Sequence, residues 1–194
     1  MKYNSGKHRR CSIRLKHYNY ASPGAYFVTI CTQNQECVFG DIVNGEMKLN
    51  DAGHMVTKWY YELENKFPDI KHDELICMPN HVHLIVINGG TAAVAVGADL
   101  RVCPYDNHDN SDNPDNAGGH TGSPLHRVVQ WFKTMTTNEY IRGVKQNGWP
   151  PFPGKLWQRN YYERIIRTEN DLNRIRQYIV NNPLNWKFDE NFEG

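Results

Sequence analysis

Met78-Pro79-Asn80-His81-Val82-His83-Leu84-Ile85-Val86 is a run of strand formers, entered through a Pro-Asn turn and headed by two histidines. Successive side chains in a strand alternate between faces, so His81 and His83 project one way and Val82 the other. Val82 can then pack into a core while two imidazoles stand side by side on the opposite face. That pair is the beginning of a divalent-metal site.

Working outward, Ala25-Tyr26-Phe27-Val28-Thr29-Ile30-Cys31-Thr32 reads as a buried strand. Cys37–Val43 and Glu46–Leu49 flank Asn44-Gly45, the strongest short hairpin signal. Asn50 or Asp51 then caps a helix whose Val56, Trp59, Tyr60, Leu63 and Phe67 follow the helical period. A strand near Glu74–Met78 leads into the histidine strand, which runs to about Ile87. Ser123-Pro124 caps the next helix, with Leu125, Val128, Val129, Phe132 and Met135 as its apolar stripe. Leu156–Ile166 is strand-like, and Thr168 with Asp171 resembles a capping box that opens the last helix. The order β, hairpin, α, β, β, α, β, α predicts an α+β protein. It is a ferredoxin-like βαββαβ sandwich with an antiparallel sheet, a hairpin inserted near the N-terminus and a C-terminal helix that carries the chemistry.

A chain of 194 residues is long enough for one domain with a proper core, here taken as 1–194. Residues 89–123 stand apart, rich in Gly, Asn, Asp and Pro, and read as a flexible acidic insertion within that domain. They hold five acids and one base, so the formal net charge of +1 conceals about +5 on the remainder. The first twenty residues carry six bases, Arg14 and Lys16 among them, interleaved with tyrosines. Residues 155–176 add Arg159, Arg164 and Arg174 to further bases. Basic clusters with aromatics suit a phosphate backbone with bases to stack on, although ordinary solvated charge reads the same way. Five scattered cysteines without a C-x-x-C pair argue for reduced thiols and a cytoplasmic setting. No stretch approaches the roughly 18 apolar residues of a membrane span, so no membrane partner is expected.

The last helix supplies what the histidines lack. Leu172, Ile175 and Ile179 form its buried stripe, Tyr178 lies on the flank, and Asn182 follows one turn on. If the helix packs over the histidine strand, His81, His83 and the Asn182 carbonyl converge on one divalent ion, with Tyr178 beside it. A tyrosine oxygen can break a phosphodiester by in-line attack once a cation neutralises the charge building on the phosphate. Arg174, one turn before Tyr178, would meet a phosphate or favour the phenolate. Two imidazoles and an amide carry no negative charge, so Mg²⁺ or Mn²⁺ should bind weakly until substrate phosphate joins the site.

The His81-Val82-His83 pair, the segment Tyr178-Ile179-Val180-Asn181-Asn182-Pro183, and Leu156-Trp157-Gln158 before Tyr161-Tyr162-Glu163 together resemble the single-tyrosine HUH transposases. Within them the chain is most similar to the REP-associated tyrosine transposases, from about Tyr26 to Trp186 apart from the acidic insertion. The resemblance implies a ferredoxin-like fold, a metal held by His81 and His83, and Tyr178 as a nucleophile forming a 5′-phosphotyrosine on single-stranded DNA. It implies hairpin-forming palindromes as substrates, a nucleoid setting, and either one chain acting twice or a homodimer. Two departures are visible: Asn182 stands where the broader insertion-sequence branch has glutamine, and the insertion after the histidine strand is foreign to the pattern.

Other readings compete. A nucleic-acid-binding regulator of the same fold, without cleavage, would carry the same basic surface. A structural zinc set of Cys77, His81 and His83 is a second rival, but the Pro79-Asn80 turn breaks their register and no fourth ligand follows closely. Asn182, preceding Pro183, reads equally as a helix C-cap. Trp157, Tyr161 and Tyr162 read first as packing residues, with one of each pair facing outward.

Overall fold

The computed structural model describes residues 23–89 and 124–188. Arg14, Lys16, the Ser123 cap and nearly all of the acidic insertion therefore lie outside the described residues. The strands β1 (Gly24–Cys31), β4 (Ile70–Cys77), β5 (His81–Asn88) and β6 (Tyr162–Ile166) form one sheet in the order β4-β5-β1-β6. All three pairings are antiparallel. Helix α1 (Asp51–Lys66) carries the chain from β1 across to β4, and α2 (Pro124–Gln146) from β5 across to β6. This is the ferredoxin-like βαββαβ order expected from the sequence. Strands β2 (Gly40–Val43) and β3 (Glu46–Leu49) form the inserted hairpin, closed by Asn44 at φ 54° and Gly45 at φ 79°. Two successive positive φ angles give a primed turn, whose twist matches that of the strands it joins.

Both faces of the sheet are covered, which explains why β5 reads as an unbroken apolar run. On one face Tyr26, Val28, Ile30, Val82, Leu84 and Val86 pack against α1 and α2. On the other, Ala25, Phe27, Ile85 and Ile166 meet Leu172, Ile175 and Ile179 of α3 (Glu169–Asn181). Caps fix the helix entries: the Asn50 side chain accepts from Gly53 N at 3.0 Å, and Thr168 Oγ1 accepts from Asp171 N at 3.1 Å. No helix among the described residues is long and apolar enough to cross a membrane.

Two sequence expectations are corrected. The strand expected near Glu74–Met78 begins earlier, at Ile70, with a bulge between His72 and Leu75. The strand-like segment Leu156–Ile166 is a strand only from Tyr162. Its first part inserts Trp157 into the core, where Nε1 donates to Thr136 Oγ1 at 2.9 Å. The reading of Asn182 as a helix C-cap before Pro183 holds: α3 ends at Asn181 with Asn182 as its C-cap, and the chain goes on as a 3-10 stretch over Asn182–Phe188. A proline in the first turn of that stretch loses no hydrogen bond the coil needs.

Candidate functional site

Alternation along β5 places His81 and His83 on the α3 side of the sheet, and both rings are buried. Register selects their neighbours: His83 lies between Ile76 of β4 and Thr29 of β1, and His81 opposite Cys31. Thr29 Oγ1 sits 2.8 Å from His83 Nδ1, and Asn80 Oδ1 sits 2.8 Å from His81 Nδ1. An amide oxygen only accepts, so His81 Nδ1 carries the proton and its Nε2 keeps a lone pair in the neutral ring. With His83 Nδ1 donating to Thr29, the two Nε2 atoms face each other 3.0 Å apart. Two facing lone pairs need a shared proton or a cation between them.

The donor set fits a divalent ion. Two nitrogens held cis around an octahedral ion at about 2.1 Å each lie about 3.0 Å apart. Among the described residues no group of three or more His, Cys, Asp or Glu side chains is placed to hold a metal. The donors are thus neutral, and a phosphate would supply the missing negative charge. Structural zinc is a poor match: Cys77 pairs with Val82 and belongs to the core on the opposite face, where burial pushes its thiol pKa far up. The Cys77–His81–His83 set is thereby ruled out by the pleat.

Helix α3 crosses this face and brings Tyr178 to the pair. Its hydroxyl lies 3.4 Å from His83 Nε2, and its ring meets His83 (centroids 5.3 Å, 61°) and the edge of Phe27 (6.0 Å, 85°). The residue is 46 % exposed, so a substrate can reach the hydroxyl. Two turns later Trp186 stacks on His81 (5.9 Å, 28°). Asn182 is buried at the C-cap of α3, between two residues that both touch the histidines. The helix is tied down by Arg176, which grips the Asp73 carboxylate of β4 through two nitrogens, Nε at 2.7 Å to Oδ1 and Nη2 to Oδ2.

The described basic residues expected to meet DNA divide between α3, β6 and the segment before β6. Arg174 Nη2 binds Asp171 Oδ1 at 2.5 Å, and Arg164 Nη2 binds the same oxygen at 2.9 Å. Arg174 is therefore an ion-pair partner of Asp171, and its side chain stays 71 % exposed. Arg159 is exposed on the segment before β6, beside a cleft under α2. Of the two tyrosines there, Tyr161 is half-buried against His126, while exposed Tyr162 pairs with Thr29 and shares its sheet face. Phe27, Thr29, Asn80 and Trp186 went unread in the sequence. Thr29 and Phe27 alternate on one face of a visible strand, but only the β1–β5 register shows that the face is the histidines'.

No family model matches the chain. A solved structure of a REP-associated tyrosine transposase bound to a REP hairpin superposes with a TM-score of 0.54, covering 91% of this chain and 77% of that one at 12% identity. That likeness establishes a transposase-like fold. A Haemophilus influenzae protein, described as uncharacterized, is 38% identical over 191 residues, 97% of this chain and 96% of its own. Identity of that extent over nearly the whole of both chains makes this protein a member of the same family as the Haemophilus influenzae one.

Proposed function

We propose that the chain is a metal-dependent transposase of the HUH type, cleaving and rejoining single-stranded, hairpin-forming DNA through a 5′-phosphotyrosine at Tyr178. One observation carries the reading: an accessible tyrosine hydroxyl stands 3.4 Å from His83 Nε2, beside two imidazole nitrogens facing each other at 3.0 Å. The fold's likeness to a transposase solved with a REP hairpin supports the choice of substrate. His81, His83 and Asn182 would hold Mg²⁺ or Mn²⁺, which when bound draws negative charge off the scissile phosphate.

The chain's own residues do the rest. Thr29 and Asn80 fix the tautomers of the two rings, and Phe27 and Trp186 fix their planes. Phe27 also holds the Tyr178 ring edge-on, so that its oxygen stays at the mouth of the site. In the reaction a Tyr178 Oη–P bond forms as the P–O3′ bond breaks. The phenolic proton leaves through the exposed side, and the departing 3′ oxygen gains one. The ester preserves the energy of the broken bond, so a 3′-hydroxyl can reverse the step without ATP. Nucleophile and histidines meet within one chain, which supports a site formed in cis, with one tyrosine acting twice or two copies working together.

The test is incubation with single-stranded hairpin DNA and Mg²⁺ or Mn²⁺, followed by denaturing electrophoresis. The wild-type chain should leave a covalent protein–DNA adduct, and Tyr178→Phe should leave none while still binding DNA. Binding without adduct in the wild type would favour the non-cleaving regulator. An adduct persisting in Tyr178→Phe would shift the nucleophile, with Tyr162 the next candidate because it shares the histidine face.

A further inference from the structure

On the other side of the sheet, α2 and the segment before β6 enclose a cleft of about 750 Å³. That is room for one or two nucleotides, within the usual ~300–1,000 Å³ of ligand sites. Among the described residues its lining includes Lys133, Lys155 and Arg159 and no Asp or Glu. Lys133 is half-buried and spends two of its donors on the segment itself, to Gln158 O at 2.5 Å and Arg159 O at 3.2 Å. An ammonium has a third. The rings of His126 and Tyr161 lie nearly parallel in the wall (6.4 Å, 23°), and exposed Gln130 adds an amide edge. Cations, an aromatic face and an amide are the components that hold an unpaired nucleotide by phosphate, base plane and base edge.

The cleft is also joined to the histidine site. Gln33 N donates to Leu156 O at 2.8 Å and Gln158 N to Cys31 O at 2.9 Å, which clamps the segment to the end of β1. Cys31 is the cross-strand partner of His81, so cleft and site open at the same end of the sheet. We propose that the cleft binds one or two unpaired deoxynucleotides of the strand leading to Tyr178, and so helps to set which phosphate reaches the tyrosine. This rests on the reading that the chain acts on single-stranded DNA.

Fluorescence anisotropy in the Tyr178→Phe background tests it, with a hairpin bearing a single-stranded tail compared with the same hairpin blunt-ended. The double variant Lys155→Ala/Arg159→Ala, altered only at exposed positions, should lose about tenfold in affinity for the tailed hairpin and little for the blunt one. Its salt slope on the tailed hairpin should fall by about one, as expected when one or two single-strand phosphate contacts disappear. Gln130→Ala, which leaves every charge in place, should weaken the tailed hairpin alone. Equal losses on both hairpins, or none on either, would overturn the proposal. Adduct formation by chains retaining Tyr178 is read separately. Tail-selective loss without any wild-type adduct keeps the cleft and overturns cleavage, whereas wild-type adduct with unchanged tail affinity in the variants overturns the cleft alone.

Discussion

Thr29 contributes a hydroxyl to the site and no catalytic chemistry, and its effect should be measurable. Its Oγ1 meets His83 Nδ1 at 2.8 Å, which holds the Nε2 lone pair toward His81. Replacing the hydroxyl with a methyl, as in Thr29→Val, keeps the β-branched shape and frees the ring to change tautomer. Mn²⁺ affinity, measured by calorimetry with a single-stranded hairpin bound, should fall about 10–100-fold while the unfolding midpoint moves little. Unchanged metal affinity would show that Thr29 only packs. The histidine pair was legible because a period of two is a local property. Thr29's role was not, since nothing within Ala25–Thr32 says which residue will face His83; that follows from a pairing set by the whole sheet. Trp186 was missed for a different reason: Pro183 reads as a stop, yet the coil tightens to 3-10 and brings the indole back over His81.

Helix α3 must lie across β5 for the tyrosine to meet the histidines, and three features fix it there. Leu172, Ile175 and Ile179 bury its apolar stripe, Thr168 caps its entry, and Arg176 grips Asp73 beside the β4 bulge. The Arg176–Asp73 pair is bidentate and only partly exposed, so Arg176→Ala should cost about 1 kcal/mol in urea unfolding. Its larger effect should be on the rate of adduct formation, since the stripe alone permits the helix to slide; hairpin affinity should change less. Equal loss of rate and affinity would make the pair a general stability contact. Asp171 makes the opposite case. It occupies both Arg164 and Arg174, so Asp171→Asn should release two guanidiniums and steepen the salt dependence of DNA binding. The stripe and the cap were readable from helical spacing. The bulge and the Asp73 grip were not, because an irregular strand leaves no period, and neither was the pairing of Arg174, because its Asp171 partner also answers to distant Arg164. The 156–161 segment misled in the same way: apolar residues at strand spacing here serve a loop driven into the α1–α2 core by Trp157.

The two faces of the sheet divide the work, with histidines and tyrosine under α3 and the cationic cleft under α2, and pH should separate them. Burial lowers the Lys133 pKa to about 8, with Lys155 pushing the same way and Cys31 opposing, and Arg159 also lines the cleft. Its native value lies below its unfolded one, so above pH 8 the unfolded chain binds more protons and this group's contribution to stability rises with pH. Cys77 and Tyr60 run the other way, because burial raises both and the native chain keeps protons that the unfolded chain sheds above about pH 9. Comparison with Lys133→Met isolates the lysine: the stability difference between the two chains should shift in the wild type's favour from pH 7 to 9. Over the same interval the ammonium is lost, so wild-type affinity for a tailed hairpin should fall toward that of Lys133→Met, and its salt slope should shrink. Stability and DNA affinity therefore move in opposite directions across one titration. A merely structural lysine, bonded to the Gln158 and Arg159 carbonyls and never meeting DNA, would show the first change without the second.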